Sequence, residues 1–175
     1  MLVSKRQAFT LAELLAVVTI SSILVSFAIP AYYDLLRNNA VRSDSEHLTA
    51  GFLTAKSEAI TTEADVTICP FDAESGVSCI STSNWSSWVV FSGSSPNSLN
   101  ADNIISVYNV DNTIFTSDSG ITSITFRPTG FSSVGTTFAG QPDNCSTSKK
   151  YRREVTVNIS GVISGERKLC IAPEE

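Results

Sequence analysis

Residues 7–36, QAFTLAELLAVVTISSILVSFAIPAYYDLL, decide the fold. From Phe9 to Ala31 the chain runs for 23 residues with Glu13 as the one charge among them. That length suffices for a membrane-crossing helix, which needs about 20 apolar residues. A carboxylate well inside hydrocarbon costs on the order of 2.5–3.5 kcal/mol on insertion scales, so Glu13 calls for a compensating partner. If the chain were cut between Ala8 and Phe9, Phe9 would carry a free amine. Glu13, four residues further on, would then share a helix face with that amine, and an acid in a first turn also suits the helix dipole.

Two plainer readings fit the same stretch less well. A secretory signal would pair the basic start at Lys5 and Arg6 with a small-x-small site at Ser26-Phe27-Ala28. It would sever the apolar run from the helix that follows and leave Glu13 unexplained. A simple signal anchor also gives Glu13 no role. The segment FTLAELLAVV instead resembles the cleavage and assembly motif of type IV pilins and type II secretion pseudopilins, whose usual form is Gly-Phe-Thr-Leu-Ile-Glu. The basic leader, Phe9, Thr10, Leu11, Glu13 and Pro30 match, while Ala8 stands in place of glycine and Ala12 in place of isoleucine. The resemblance implies cleavage between Ala8 and Phe9, N-methylation of Phe9, and a role for Glu13 and Pro30 in assembly.

Proline removes one helical hydrogen bond, so Pro30 is expected to kink the helix without necessarily ending it. Beyond it, Val41, Leu48, Phe52, Ala55 and Ala59 recur on one helical face, with Arg42, Ser45, Glu46, Thr49 and Lys56 on the others. The pattern predicts a helix from Phe9 to Ile60, roughly 75–80 Å long at 1.5 Å per residue. Gly51, in mid-helix, points to close packing against a domain.

From Asp65 onward, short β-rich runs alternate with Ser, Thr, Asn and Gly. Residues 66–69, 87–91, 104–110, 121–126, 136–139, 154–160 and 168–171 are strand candidates. Residues 92–103 are a loop and 127–130 a turn. The fold class is α+β: a long N-terminal helix, apolar in its first half, packed on a C-terminal antiparallel β-sheet domain. Four segments are expected: a leader 1–8, a transmembrane or filament-core helix 9–31, an amphipathic continuation 32–62 and a globular β-rich domain 63–175. The ordered set AKSEAI, VTICP, Cys79, WSSWVVF and ITFRPTG, followed by a final strand–turn–strand, resembles the GspH/FimT family of minor pilins and minor pseudopilins. Trp85 and Trp88 within it read as core or domain-surface aromatics.

Two of the 12 Lys and Arg lie in the leader, leaving 10 against 17 acids, a net of −7. Residues 57–140 hold eight acids and only Arg127 as a base, which excludes a uniformly basic nucleic-acid surface. Cys69, Cys79, Cys145 and Cys170 form an even set beside an export signal, which points to an oxidising compartment and two disulfides. Three connectivities are open; Cys69–Cys79 with Cys145–Cys170 is the simplest, each bond closing a local loop. A zinc site is disfavoured, because no CxxC is present and His47 is alone.

No catalytic constellation is present: no GxSxG, P-loop, HExxH or dinucleotide fingerprint. Asp102, Asp111 and Asp118 are scattered among Asn and Ser without the spacing of a calcium loop. The chain reads as a substrate of a prepilin peptidase and an N-methylating activity, and as no enzyme; no cofactor is expected. The expected partners are other major and minor pilins, the inner-membrane assembly machinery and, before assembly, the inner membrane itself, with the β domain periplasmic.

The candidate binding patch is C-terminal: Lys149, Lys150, Arg152, Arg153, Arg167 and Lys168. If the two segments pair as neighbouring strands, all six would be available to one phosphate backbone, giving salt-sensitive affinity. The family resemblance implies DNA binding through a Gly-Arg-x-Arg motif near this point. Here Gly161-Val162-Ile163-Ser164 lacks both arginines, and Gly165-Glu166-Arg167-Lys168 carries an acid at the first. The leading expectation is therefore a minor pilin of an initiating or tip complex. A DNA-binding minor pilin for transformation and a minor pseudopilin of type II secretion are the alternatives.

Overall fold

A computed structural model of the chain describes residues 10–72, 77–110, 113–142 and 145–172. Residues 1–9, among them Lys5, Arg6, Ala8 and Phe9, and Asp111 lie outside the described residues. The chain divides into two compact units, Met1–Arg37 and Asn38–Glu175.

One α-helix, α1 (Leu11–Thr62, 52 residues), passes through Pro30 and crosses the boundary between the units. In the first unit its apolar side chains are exposed, among them Leu14, Val18, Leu24 and Phe27. An 18-residue window of α1 has a mean hydropathy of 2.3, and the helix is long and apolar enough to cross a membrane. Hydroxyls in this stretch bond inside the helix: Thr19 Oγ1 donates to the Leu15 carbonyl at 3.0 Å, Ser22 Oγ to Thr19 at 2.8 Å and Ser26 Oγ to Ile23 at 2.7 Å. Such back-bonding satisfies polar groups where no water is available.

In the second unit α1 is one-sided. Val41, Leu48, Phe52, Ala55 and Ala59 are its buried face, as their spacing predicts. Among the described residues, nine strands follow: β1 (Val66–Pro70), β2 (Asn84–Trp85), β3 (Ser87–Ser92), β4 (Ile104–Asn109), β5 (Phe115–Ser117), β6 (Ile124–Phe126), β7 (Thr136–Gly140), β8 (Arg152–Val157) and β9 (Ile163–Lys168). They form two antiparallel sheets, ordered β4-β3-β1-β6 and β2-β5-β7-β8-β9.

The helical face reaches both sheets. Leu48, Phe52, Ala55 and Ala59 share one core with Ile68, Trp88 and Val90 of the first sheet and with Trp85, Phe138, Val155 and Val157 of the second. Phe52, Trp85 and Phe138 form an aromatic cluster with ring centroids 4.6–6.1 Å apart. Trp85 Nε1 donates to the Ile121 carbonyl at 3.3 Å, giving its one polar atom a partner. Strand β3 is apolar without alternation because both its faces are covered. Trp88 and Val90 join the main core, while Val89 and Phe91 pack with Cys69 and Leu99 in a second cluster.

Two expectations are corrected. The last strand lies at 163–168 and not at 168–171, and the strand before it ends at Val157 instead of residue 160. The cause is a tight turn at Asn158–Gly161, where Gly161 N donates to the Asn158 carbonyl at 2.8 Å and Gly161 takes a φ of 73°. Glycine suits this left-handed conformation, and any Cβ there would meet the Gly130 backbone. Lys56 Nζ on α1 donates to the Gly161 carbonyl at 2.8 Å, tying the helix to the same turn.

Two disulfides staple the domain, Cys69–Cys79 with Cα atoms 5.7 Å apart and Cys145–Cys170 at 5.8 Å. The first joins β1 to the segment after it. The second closes the open end of the β8–β9 hairpin, since Cys145 precedes β8 and Cys170 follows β9.

Candidate functional site

The start of α1 has a definite polar geometry. Thr10 is the N-cap: its carbonyl accepts the first helical bond, from Leu14 N at 3.2 Å. Thr10 Oγ1 accepts from Glu13 N at 3.2 Å, and Glu13 Oε2 accepts from both Thr10 N and Thr10 Oγ1 at 3.1 Å. This is a reciprocal capping box, which satisfies donors that a helix start leaves without partners. Its sequence form is Thr-x-x-Glu, and it is spelled plainly in Thr10-Leu11-Ala12-Glu13. Reading Glu13 only against the helix dipole and a distant amine overlooks it. The two bonds orient the carboxylate at the helix N-terminus without neutralising it, so the anion still needs a cation once water is removed.

The C-terminal cations divide by strand geometry. β8 and β9 do pair, with Arg152 opposite Lys168, Arg153 opposite Arg167 and Glu154 opposite Glu166. Opposed residues share a face and successive residues alternate, so Arg152 and Lys168 lie on one side and Arg153 and Arg167 on the other. A single phosphate backbone along one face therefore does not meet all six.

On the first side, Arg152 Nη2 pairs with Glu154 Oε1 at 3.0 Å and Lys168 Nζ with Glu166 Oε2 at 2.6 Å. Each cation there has a carboxylate two residues away, and the ladder is neutral. The Glu166 carboxyl is held below its ordinary range by the hydrogen bond from Lys168, and Lys168 is raised by the same contact. Lys149 Nζ stands 5.4 Å from the Tyr151 ring centroid, and Lys150 is exposed in the turn before β8.

On the second side, Arg153 points the same way as Val155 and Val157, toward α1. A cleft of about 350 Å³ lies there between the helix and the hairpin, lined by Arg42, Glu46, Arg153, Glu154, Glu166 and Arg167 among others. Among the described residues, Arg153 Nε is buried with no hydrogen-bond partner. Burial, then the neighbouring Arg167 and Arg42 guanidiniums, push Arg153 below its ordinary value, with Glu46 acting in the opposite direction.

Among the described residues, the other sequence candidates are not gathered into a site. His47 and Asp102 are exposed. Asp118 organises a turn, accepting from Thr136 Oγ1 at 2.8 Å, Ser119 Oγ at 2.9 Å and Thr137 N at 3.1 Å. Among the described residues, no group of three or more His, Cys, Asp or Glu is arranged to hold a metal ion.

Comparison with known families places the chain. Residues 44–161 match the family described as type II transport protein GspH. Residues 3–29 match the prokaryotic N-terminal methylation motif. The chain belongs to the GspH family. Its fold is similar to two crystal forms of the type IV minor pilin FimU of Pseudomonas aeruginosa strain PAO1. One is 20% identical with a TM-score of 0.56, covering 71% of this chain and 91% of FimU. The other is 19% identical with a TM-score of 0.58, covering 73% and 89%. At these identities the likeness establishes the pilin-like α+β fold alone. No curated protein matches the chain. Its assignment as a structural subunit and not an enzyme comes from this family membership.

Proposed function

We propose that this GspH-family protein is a minor pilin subunit that is cut after Ala8, methylated on the new amine of Phe9, and drawn from the inner membrane into a pilus-like filament. Residues 1–8 are the leader, 9–31 the filament core, 32–62 the connecting helix and 63–175 the outer domain that selects neighbours. The initiating or tip complex is its place in the filament.

The observation that carries this reading is Glu13, fixed by Thr10 in the first turn of an otherwise apolar helix. In a bundle of such helices, the carboxylate faces the cationic terminus of an adjacent subunit, which offsets its desolvation. The capping box holds it ready for that partner. Pro30 gives the core helix a position where one backbone bond is missing and the segments on either side can adjust.

The test separates charge from capping. Glu13→Gln keeps the acceptor for Thr10 and loses the charge; Glu13→Ala loses both. Both variants are expected to insert in the membrane, fold their β domain and fail to enter filaments, scored as the share of the protein that co-purifies with sheared filaments. Normal incorporation of Glu13→Gln would reduce Glu13 to a helix cap and remove the charge-pairing mechanism.

A minor pseudopilin of type II secretion is the second reading, favoured by the description of the matching family. Deleting the chain and measuring secreted protein against surface filaments separates the two machines. DNA capture has weaker support, because Arg152 and Lys168 are each occupied by a carboxylate.

A further inference from the structure

We propose that the cleft between α1 and the β8–β9 hairpin, where Arg153 and Arg167 converge beside Arg42, is a socket for an acidic side chain of a neighbouring subunit. Naming a subunit as the source of the carboxylate rests on the filament reading above.

Three observations lead to it. The sheet register sets Arg153 directly opposite Arg167, an arrangement of like charges that is unfavourable unless an anion joins it. The nearby acids each have a cation of their own: Glu46 Oε1 accepts from Arg42 Nε at 2.8 Å within the cleft, while Glu154 pairs with Arg152 and Glu166 with Lys168. Arg153 Nε meanwhile has no partner among the described residues, an orphaned donor that is costly unless it is filled. Arg167 Nη2 donates to the Lys150 carbonyl at 3.3 Å, which positions its guanidinium against the hairpin.

Shape and charge decide the kind of anion. A concave space of about 350 Å³ admits a side chain with its flanking backbone and is too small for a duplex. Glu46, Glu154 and Glu166 also line the cleft, so a long polyanion laid along it would meet three carboxylates. A single carboxylate entering between the two guanidiniums meets donors in the fork geometry that arginine offers to carboxylates.

The test uses the full-length chain in non-ionic detergent and a dye-labelled, C-terminally amidated peptide with a single Glu among Gly and Ser, read by anisotropy at low salt. Binding is expected for the wild type, weakened about tenfold by the Arg153→Gln/Arg167→Gln pair, as the loss of charge-assisted hydrogen bonds implies. The Arg127→Gln/Lys150→Gln pair removes the same formal charge from exposed positions outside the cleft lining and is expected to change binding little. Should the first pair unfold, Arg167→Gln alone, at an exposed position, must still weaken the peptide severalfold.

The proposal is overturned by no peptide binding to the wild type, by equal losses in the two pairs, or by a short DNA duplex binding more tightly than the peptide. This readout is independent of Glu13, so socket and filament reading fail separately. Peptide binding through Arg153 and Arg167 with unchanged filament entry of the double variant would rule out a neighbouring subunit as the occupant.

Discussion

Gly51 of α1 lies against the indole edge of Trp88: a Cβ built at Gly51 would stand 2.7 Å from Trp88 Nε1 and 3.2 Å from the Ile68 side chain. Trp88 is fully buried and stacks on Tyr108 with centroids 6.0 Å apart, so it has little room to retreat. The helix and the first sheet therefore approach as closely as they do only because this position has no side chain.

Gly51→Ala is accordingly expected to destabilise the domain. Alanine gains up to about 1 kcal/mol in helix propensity, but overpacking a fixed core costs about 1–3 kcal/mol. Urea unfolding followed by Trp85 and Trp88 fluorescence checks the sign. A more stable variant would mean that the helix can lift from the sheet at little cost.

Removing the Cys145–Cys170 bond, by Cys145→Ser with Cys170→Ser, is expected to cost about 3 kcal/mol, the order given by chain entropy for a loop of this size. The bond closes the β8–β9 hairpin, whose outer strand β9 is a sheet edge with one neighbour. Hydrogen exchange should therefore rise in residues 163–168 before it rises in β1. Uniform loosening of both sheets would contradict a local clasp.

Asp118 gives the domain an acid sensitivity with a definite sign. Burial raises its carboxyl, but hydrogen bonds from Thr136, Thr137 and Ser119 outweigh this and hold it below the ordinary value. A depressed folded value contributes stability that is fully present above the unfolded carboxylate pKa of about 3.9 and lost as pH falls through the folded one. The melting temperature of the wild type should exceed that of Asp118→Asn at neutral pH, and the gap should shrink as pH drops below about 4. A gap independent of pH would show that the turn needs only a hydrogen-bond acceptor.

How far the sequence speaks depends on which residues carry the signal. Val41, Leu48, Phe52, Ala55 and Ala59 are legible because burial on one face imposes a helical period. β1 and β3 are legible because VTICP and SWVVFS are buried runs rich in β-branched and aromatic residues. β9, reading ISGERK, offers no apolar alternation, since a solvated edge strand is kept charged to deter further pairing. β2 and β5 are too short, at two and three residues, to show a period. At the sites, Glu13 stands out by its cost in an apolar run. The division of the C-terminal cations does not, because it depends on which residues of β8 and β9 face each other. Only pairing reveals that neighbours in sequence, Arg152 and Arg153, look in opposite directions.

The central claim is that proteolysis creates the cationic terminus that makes Glu13 tolerable inside an assembled bundle. Mass spectrometry of the N-terminal peptide from exported protein tests it most directly. The expected mature chain begins with N-methylated Phe9. A chain that keeps Met1, or one that begins at Ile29 after a signal-peptidase cut, would contradict it.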